Sequence, residues 1–90
     1  MVTAILNHEV KNYAEWREVF DSDEERRLKA GIKMKKVFQE LDNPNKITMI
    51  GKASSLEAFQ SFMNNPELKE KMEQGGVISM PEVKFVNKAK

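Results

Sequence analysis

Residues 2–10 alternate. Ala4, Leu6, His8 and Val10 fall on one side of an extended backbone, while Thr3, Ile5, Asn7 and Glu9 fall on the other. A period of two predicts a strand. At Asn12 the period changes to that of a helix, because Tyr13, Trp16, Val19 and Phe20 recur at helical spacing. Asn12 can cap this helix, and Glu15 three residues on completes a capping box. The charged residues 21–29 continue it, with Asp23/Arg27 and Glu25/Lys29 spaced as i,i+4 ion pairs. Gly31 is its expected stop.

Residues 32–41 read as a second strand, with Ile32, Met34 and Phe38 on one parity and Val37 and Leu41 on the other. Asp42-Asn43-Pro44-Asn45 has the composition of a turn, so residues 46–53 (KITMIGKA) should return as the antiparallel partner. Ser54 and Glu57 repeat the capping-box spacing ahead of Leu56, Phe59, Phe62 and Met63. Asn65 before Pro66 restarts this second helix, Leu68 and Met72 extend its apolar stripe, and Gly75-Gly76 end it. Residues 82–87, with Val83 and Phe85 on one face, form the last strand.

The order β-α-β-β-α-β predicts an α+β, ferredoxin-like domain over residues 1–90: a four-stranded antiparallel sheet with both helices on one face. Trp16, Phe20, Phe59, Phe62 and Met63 should pack on that face. The other face keeps apolar groups such as Ile5, Val37, Ile50 and Val86, so it is expected to meet a second copy of the chain. Size agrees, since a chain of 90 residues has a small core and no cysteine to staple it.

Charge narrows the partners. Fifteen basic and fourteen acidic side chains leave a net charge of +1, without the basic surplus expected of a nucleic-acid binder. An RNA-recognition domain of the same topology would also carry stacking aromatics on its middle strands, and KITMIGKA has none. The run Val2-Thr3-Ala4-Ile5-Leu6 is too short to span a membrane and follows no basic segment, so a cytoplasmic location is expected.

His8-x-Val10-x-Asn12-Tyr13-x-x-Trp16, then Phe20, resembles the opening of the small dimeric α+β barrel proteins. These include antibiotic-biosynthesis-monooxygenase-like and cyclase-like proteins. The likeness continues through Ala30-Gly31-Ile32, Leu41-Asp42-Asn43-Pro44, Pro66-Glu67-Leu68 and Pro81-Glu82-Val83-Lys84-Phe85, and so covers nearly the whole chain. Asn12 stands where relatives commonly carry aspartate. The resemblance implies a sheet-to-sheet homodimer and an enzyme acting on an aromatic or polyketide-like molecule without metal or organic cofactor. The alternative is a dimeric module that binds an apolar small molecule, or merely assembles.

His8 is the one histidine, and it can be a general base or a packed, hydrogen-bonded core residue. One imidazole and no thiolate cannot build the usual metal shell. Tyr13, Trp16 and Phe20 can be core, or they can wall a cavity in which a phenolic OH and an indole NH orient a ligand. Met34, Met49, Met63, Met72 and Met80 suit either gap filling or an adaptable pocket. Asn7 matches the asparagine of the haem-degrading branch of the resembled superfamily. That branch also needs a helical histidine, which this chain lacks, so Asn7 is left as a pocket-wall or dimer-face group. The candidate catalytic set is His8 as base, with Asn7, Tyr13 and Trp16 as orienters. Arg26, Arg27, Lys29, Lys33, Lys35 and Lys36 read as a solvated basic face or as an attractor of acidic ligands. Lys84, Lys88 and Lys90 read as edge and terminus charges. Any ligand is expected between helices and sheet, near Trp16 and the apolar loop Val77-Ile78-Ser79-Met80.

Overall fold

In the computed structural model, which describes residues 2–87 and 89, strand and helix alternate as the pattern predicts. The elements are β1 (Val2–Glu9), α1 (Tyr13–Ser22), α2 (Glu24–Lys29), β2 (Ile32–Gln39), β3 (Lys46–Ala53), α3 (Leu56–Met63), α4 (Pro66–Gln74) and β4 (Glu82–Val86). The sheet order is β2-β3-β1-β4 with every neighbouring pair antiparallel, which is the ferredoxin-like arrangement. Lys88 and Lys90 lie outside the described residues.

Each helical stretch is broken once. Pro66 lacks an N–H, and Asn65 before it is extended at ψ 128°, so α3 cannot run into α4. The first break falls at Asp23 and was not expected. There Arg27 reaches back so that its NH1 donates to the Phe20 carbonyl at 2.7 Å, and that oxygen also accepts from the Asp23 N–H. The predicted Asp23/Arg27 pair is therefore replaced by a two-pronged Asp23–Arg26 pair at 2.9 and 2.8 Å. The Glu25–Lys29 pair forms, fully in solvent, at 3.3 Å.

Caps follow the sequence with one shift. Asn12 Oδ1 accepts from the Glu15 N–H, whereas α3 is capped by Ser55, which accepts from Ala58, and not by Ser54. Ser54 instead donates its N–H to the Gly31 carbonyl at 2.9 Å. Gly31 sits at φ +81° just past α2, and a Cβ there would lie 2.6 Å from Ser54 Oγ. Both its conformation and its crowding demand glycine.

The core forms between helices and sheet from Ala4, Leu6, Val10, Trp16, Ile47 and Phe59, among others. A register shift between Met34 and Lys36 corrects the reading of β2. Before it Ile32 and Met34 face the helices. After it Val37, paired with Met49, takes the core side, and Phe38, paired with Thr48, turns to the open face. The open face thus presents Ile5, Ile50, Phe38 and Val86, with Val37 removed from the expected set. Leu41 is fully exposed in the turn and does not extend β2.

Asn45 ties the β2–β3 turn to the start of α1. Its Oδ1 accepts from the Tyr13 N–H at 2.9 Å, its Nδ2 donates to the Lys11 carbonyl at 3.2 Å, and its own carbonyl accepts from Val10. Asn45→Ala removes the two side-chain bonds and is expected to cost about 1–3 kcal/mol, read as a lower urea midpoint at unchanged slope.

Candidate functional site

Because strand side chains alternate, the β1 residue beside Asn7 must point the opposite way. His8 points into the helical layer and is only 8% exposed. Its ring meets the Trp16 ring edge-on, with centroids 5.4 Å apart. Trp16 stacks on Phe20 at 4.7 Å, and the Arg27 guanidinium lies 3.8 Å above the far side of that stack, over the Phe20 ring. Four residues from β1, α1 and α2 thereby form one continuous row.

A cavity of about 70 Å³ lies along this row, between helices and sheet. Its walls are apolar and soft, with Met34, Met49, Met63 and Met72 all contributing. Its polar lining is short: His8, Asp23, Arg27 and Lys71. The position matches the expectation near Trp16, but not the expected role of the 77–80 loop. Val77 bridges to Val10, Ile78 donates its N–H to Glu9, and Glu9 donates its own to Ser79 Oγ, so this loop prolongs the sheet edge. Ile78 and Met80 are left exposed.

Of the four candidate residues, His8 and Trp16 come together on the cavity. Asn7 faces the other side of the sheet, where its Oδ1 accepts from Thr48 Oγ1, and borders a second, wider groove with Glu9, Glu40, Lys46 and Glu82, which His8 also lines. Tyr13 tilts against Trp16 at 6.0 Å but does not line the cavity, and its hydroxyl accepts from Arg17 NH1 at 3.4 Å. Arg27 was misplaced as part of a solvated basic face; it is 5% exposed. Spacing alone could not have shown this, because Trp16 and Phe20 lie on α1 and Arg27 on α2, beyond the break at Asp23. Among the described residues no group of three or more His, Asp or Glu could hold a metal ion, and no helix is long and apolar enough to cross a membrane.

Burial lowers the His8 pKa below its ordinary 6.5, and His8 Nδ1 is buried without a hydrogen-bond partner among the described residues. The Arg26 fork holds the Asp23 carboxyl below its usual range. These shifts separate in pH. Above 6.5 His8 is neutral in both folded and unfolded chains; as pH falls below 6.5 only the unfolded chain takes up the proton, so stability declines. The decline levels off below the folded-state pKa, and Asp23 adds its own loss only in stronger acid. Urea midpoints should therefore drop between pH 7.5 and 5.0 in the native chain. His8→Phe should flatten that dependence, and an unchanged slope in the variant would assign the effect elsewhere.

A four-stranded antiparallel sheet with a cavity under its helices gives the chain the fold of the antibiotic-biosynthesis-monooxygenase-like proteins. A protein from Bordetella bronchiseptica, provisionally named an antibiotic biosynthesis monooxygenase, superposes with TM-score 0.77 at 13% identity, over 99% of this chain and 97% of its own. A mutant of SnoaB, a cofactor-independent oxygenase from Streptomyces nogalater, gives TM-score 0.72 at 17% identity, over 99% and 93%. A conserved protein from Methanosarcina mazei Go1 gives TM-score 0.72 at 22% identity, over 98% and 92%. In sequence, no family model and no curated protein matches the chain.

Proposed function

We propose that the chain is a homodimeric, cofactor-independent oxygenase or cyclase-like enzyme for an acidic phenol or enol of aromatic or polyketide-like type. The observation that carries the reading is His8 on the wall of an apolar, aromatic-lined cavity: its Nδ1 is buried without a hydrogen-bond partner among the described residues, and burial biases the imidazole towards the neutral form. A neutral imidazole accepts a proton from an acidic phenol, and the anion left behind is electron-rich enough to reduce dioxygen. Substrate CH₂ and O₂ become C=O and H₂O, so the substrate supplies every electron. Trp16 orients the ring by stacking. Tyr13 positions Trp16 from the side away from the cavity, and Asn7 belongs to the dimer face.

The dimer rests on the open sheet face. Ile5 and Ile50 are paired across β1 and β3 at its centre, with Phe38 47% and Val86 37% exposed to either side. A second copy of the same face is the occupant that matches it in polarity, since each copy brings the same apolar residues.

The test is oxygen uptake against a panel of polycyclic phenols and hydroquinones, alongside quenching of Trp16 fluorescence. Native protein should consume oxygen, and His8→Gln should bind equally while losing most turnover. Turnover that survives His8→Gln removes the base from the proposal. One observation favours a second reading: about 70 Å³ is well under the roughly 300–1,000 Å³ usual for drug-sized ligands. Quenching by small aromatics without any oxygen uptake would mark a binding module whose methionines yield to a modest ligand.

A further inference from the structure

We infer that the cavity takes a ligand with a negative charge on an apolar body, and that Arg27 and Lys71 hold the charge. The inference rests on the cavity being a ligand site, and it adds the chemical class of the ligand. Burying a guanidinium is costly unless an anion offsets it. Arg27 is nine-tenths buried, yet among the described residues the only hydrogen bond of its side chain is to the Phe20 carbonyl, and it joins no ion pair. Lys71, half-buried on α4, lines the same cavity and also joins none.

The carboxylates around them do not close the account. Asp23 lines the cavity too, but both its oxygens are taken by Arg26. Asp23, Glu24 and Asp21 act on Arg27 only through space, as Asp23 does on Lys71, and Asp21 is bound to Arg17. The polar end of the cavity thus carries two cations beyond its one neutralised pair. Phe20 holds the guanidinium plane in place from below, which leaves its remaining N–H donors pre-organised for an oxygen anion. From there Phe20, Trp16 and the methionines provide the apolar wall. A carboxylate, phenolate or enolate on a flat hydrocarbon body satisfies both ends.

Trp16 is the chain's one tryptophan and stacks along the cavity, so its fluorescence reports occupancy. Benzoate and benzamide, matched in shape and differing in charge, are the probes at pH 7.5. Benzoate should bind roughly tenfold more tightly, as expected when an ionised acceptor replaces a neutral one. Arg27→Met should bring the two within about twofold while keeping apolar volume. Lys71→Met, at a half-buried site that the fold does not depend on, should lower the preference several-fold and serves if the Arg27 variant fails to fold. Equal affinities in the native protein, no quenching by either probe, or a preference that survives both substitutions would overturn the inference. The outcomes separate from those above: absence of oxygen uptake leaves the benzoate preference intact, whereas turnover of phenols with no such preference removes only the anion site.

Discussion

Ile50→Glu is expected to convert a dimer into a monomer. Sedimentation at micromolar concentration should give about twice the chain mass for the native protein and a single chain mass for the variant. Ile50 lies on a central strand, paired with Ile5 on one side and Lys36 on the other, so it sits in the middle of the open face. A carboxylate there would have to be desolvated on association, which costs roughly 3 kcal/mol or more, a hundredfold or more in Kd. In the separated chain the same carboxylate stays wet and has the Lys36 ammonium as its cross-strand neighbour, so far-UV circular dichroism should hardly change. Val86→Glu, at the outer strand, should weaken association less. A native chain that sediments as a monomer would overturn the dimer, and a variant that remains dimeric would move the interface off this face.

Trp16→Ala should destabilise the chain strongly, at a cost of about 3–5 kcal/mol. The ring is 4% exposed and touches His8, Tyr13 and Phe20, so removing it empties one side of the cavity and frees all three. Small domains hold only about 5–15 kcal/mol in total. The urea midpoint should therefore fall by about a fifth or more, with the His8 pH dependence weakened because water then reaches the imidazole. A small loss would mean that the cavity walls collapse inward and that the site is plastic.

How legible the protein was in its sequence differs from element to element. Strand and helix positions followed from periods of two and 3.6, and Asn12, Pro66, Gly31 and Gly75 marked boundaries through local chemistry that needs no distant partner. The face of β1 followed too, since alternation alone places His8 opposite Asn7. The same alternation shows why Asn7 does not reach the Trp16 cavity, although both stood in the candidate set; it meets His8 only at the second groove. Lys35 breaks that logic in β2. The register shift beside it exchanges the faces of Val37 and Phe38, and nothing in residues 32–41 announces it, because only pairing with β3 creates it.

Arg27 is the clearest case of a property decided by tertiary structure. As a residue in a charged run it belongs in water. Its burial depends on the break at Asp23, on Arg26 occupying that carboxylate, and on Phe20 offering both a ring face and a carbonyl. Those partners converge only once α1 and α2 dock on the sheet. What the sequence by itself determined is the order of elements, their caps and the apolar stripe, because each rests on neighbours within a turn or two of chain. The cavity's charge, and the exchange of Val37 for Phe38 on the open face beside Ile5, Ile50 and Val86, were decided only by the fold, because they depend on contacts between residues far apart in sequence.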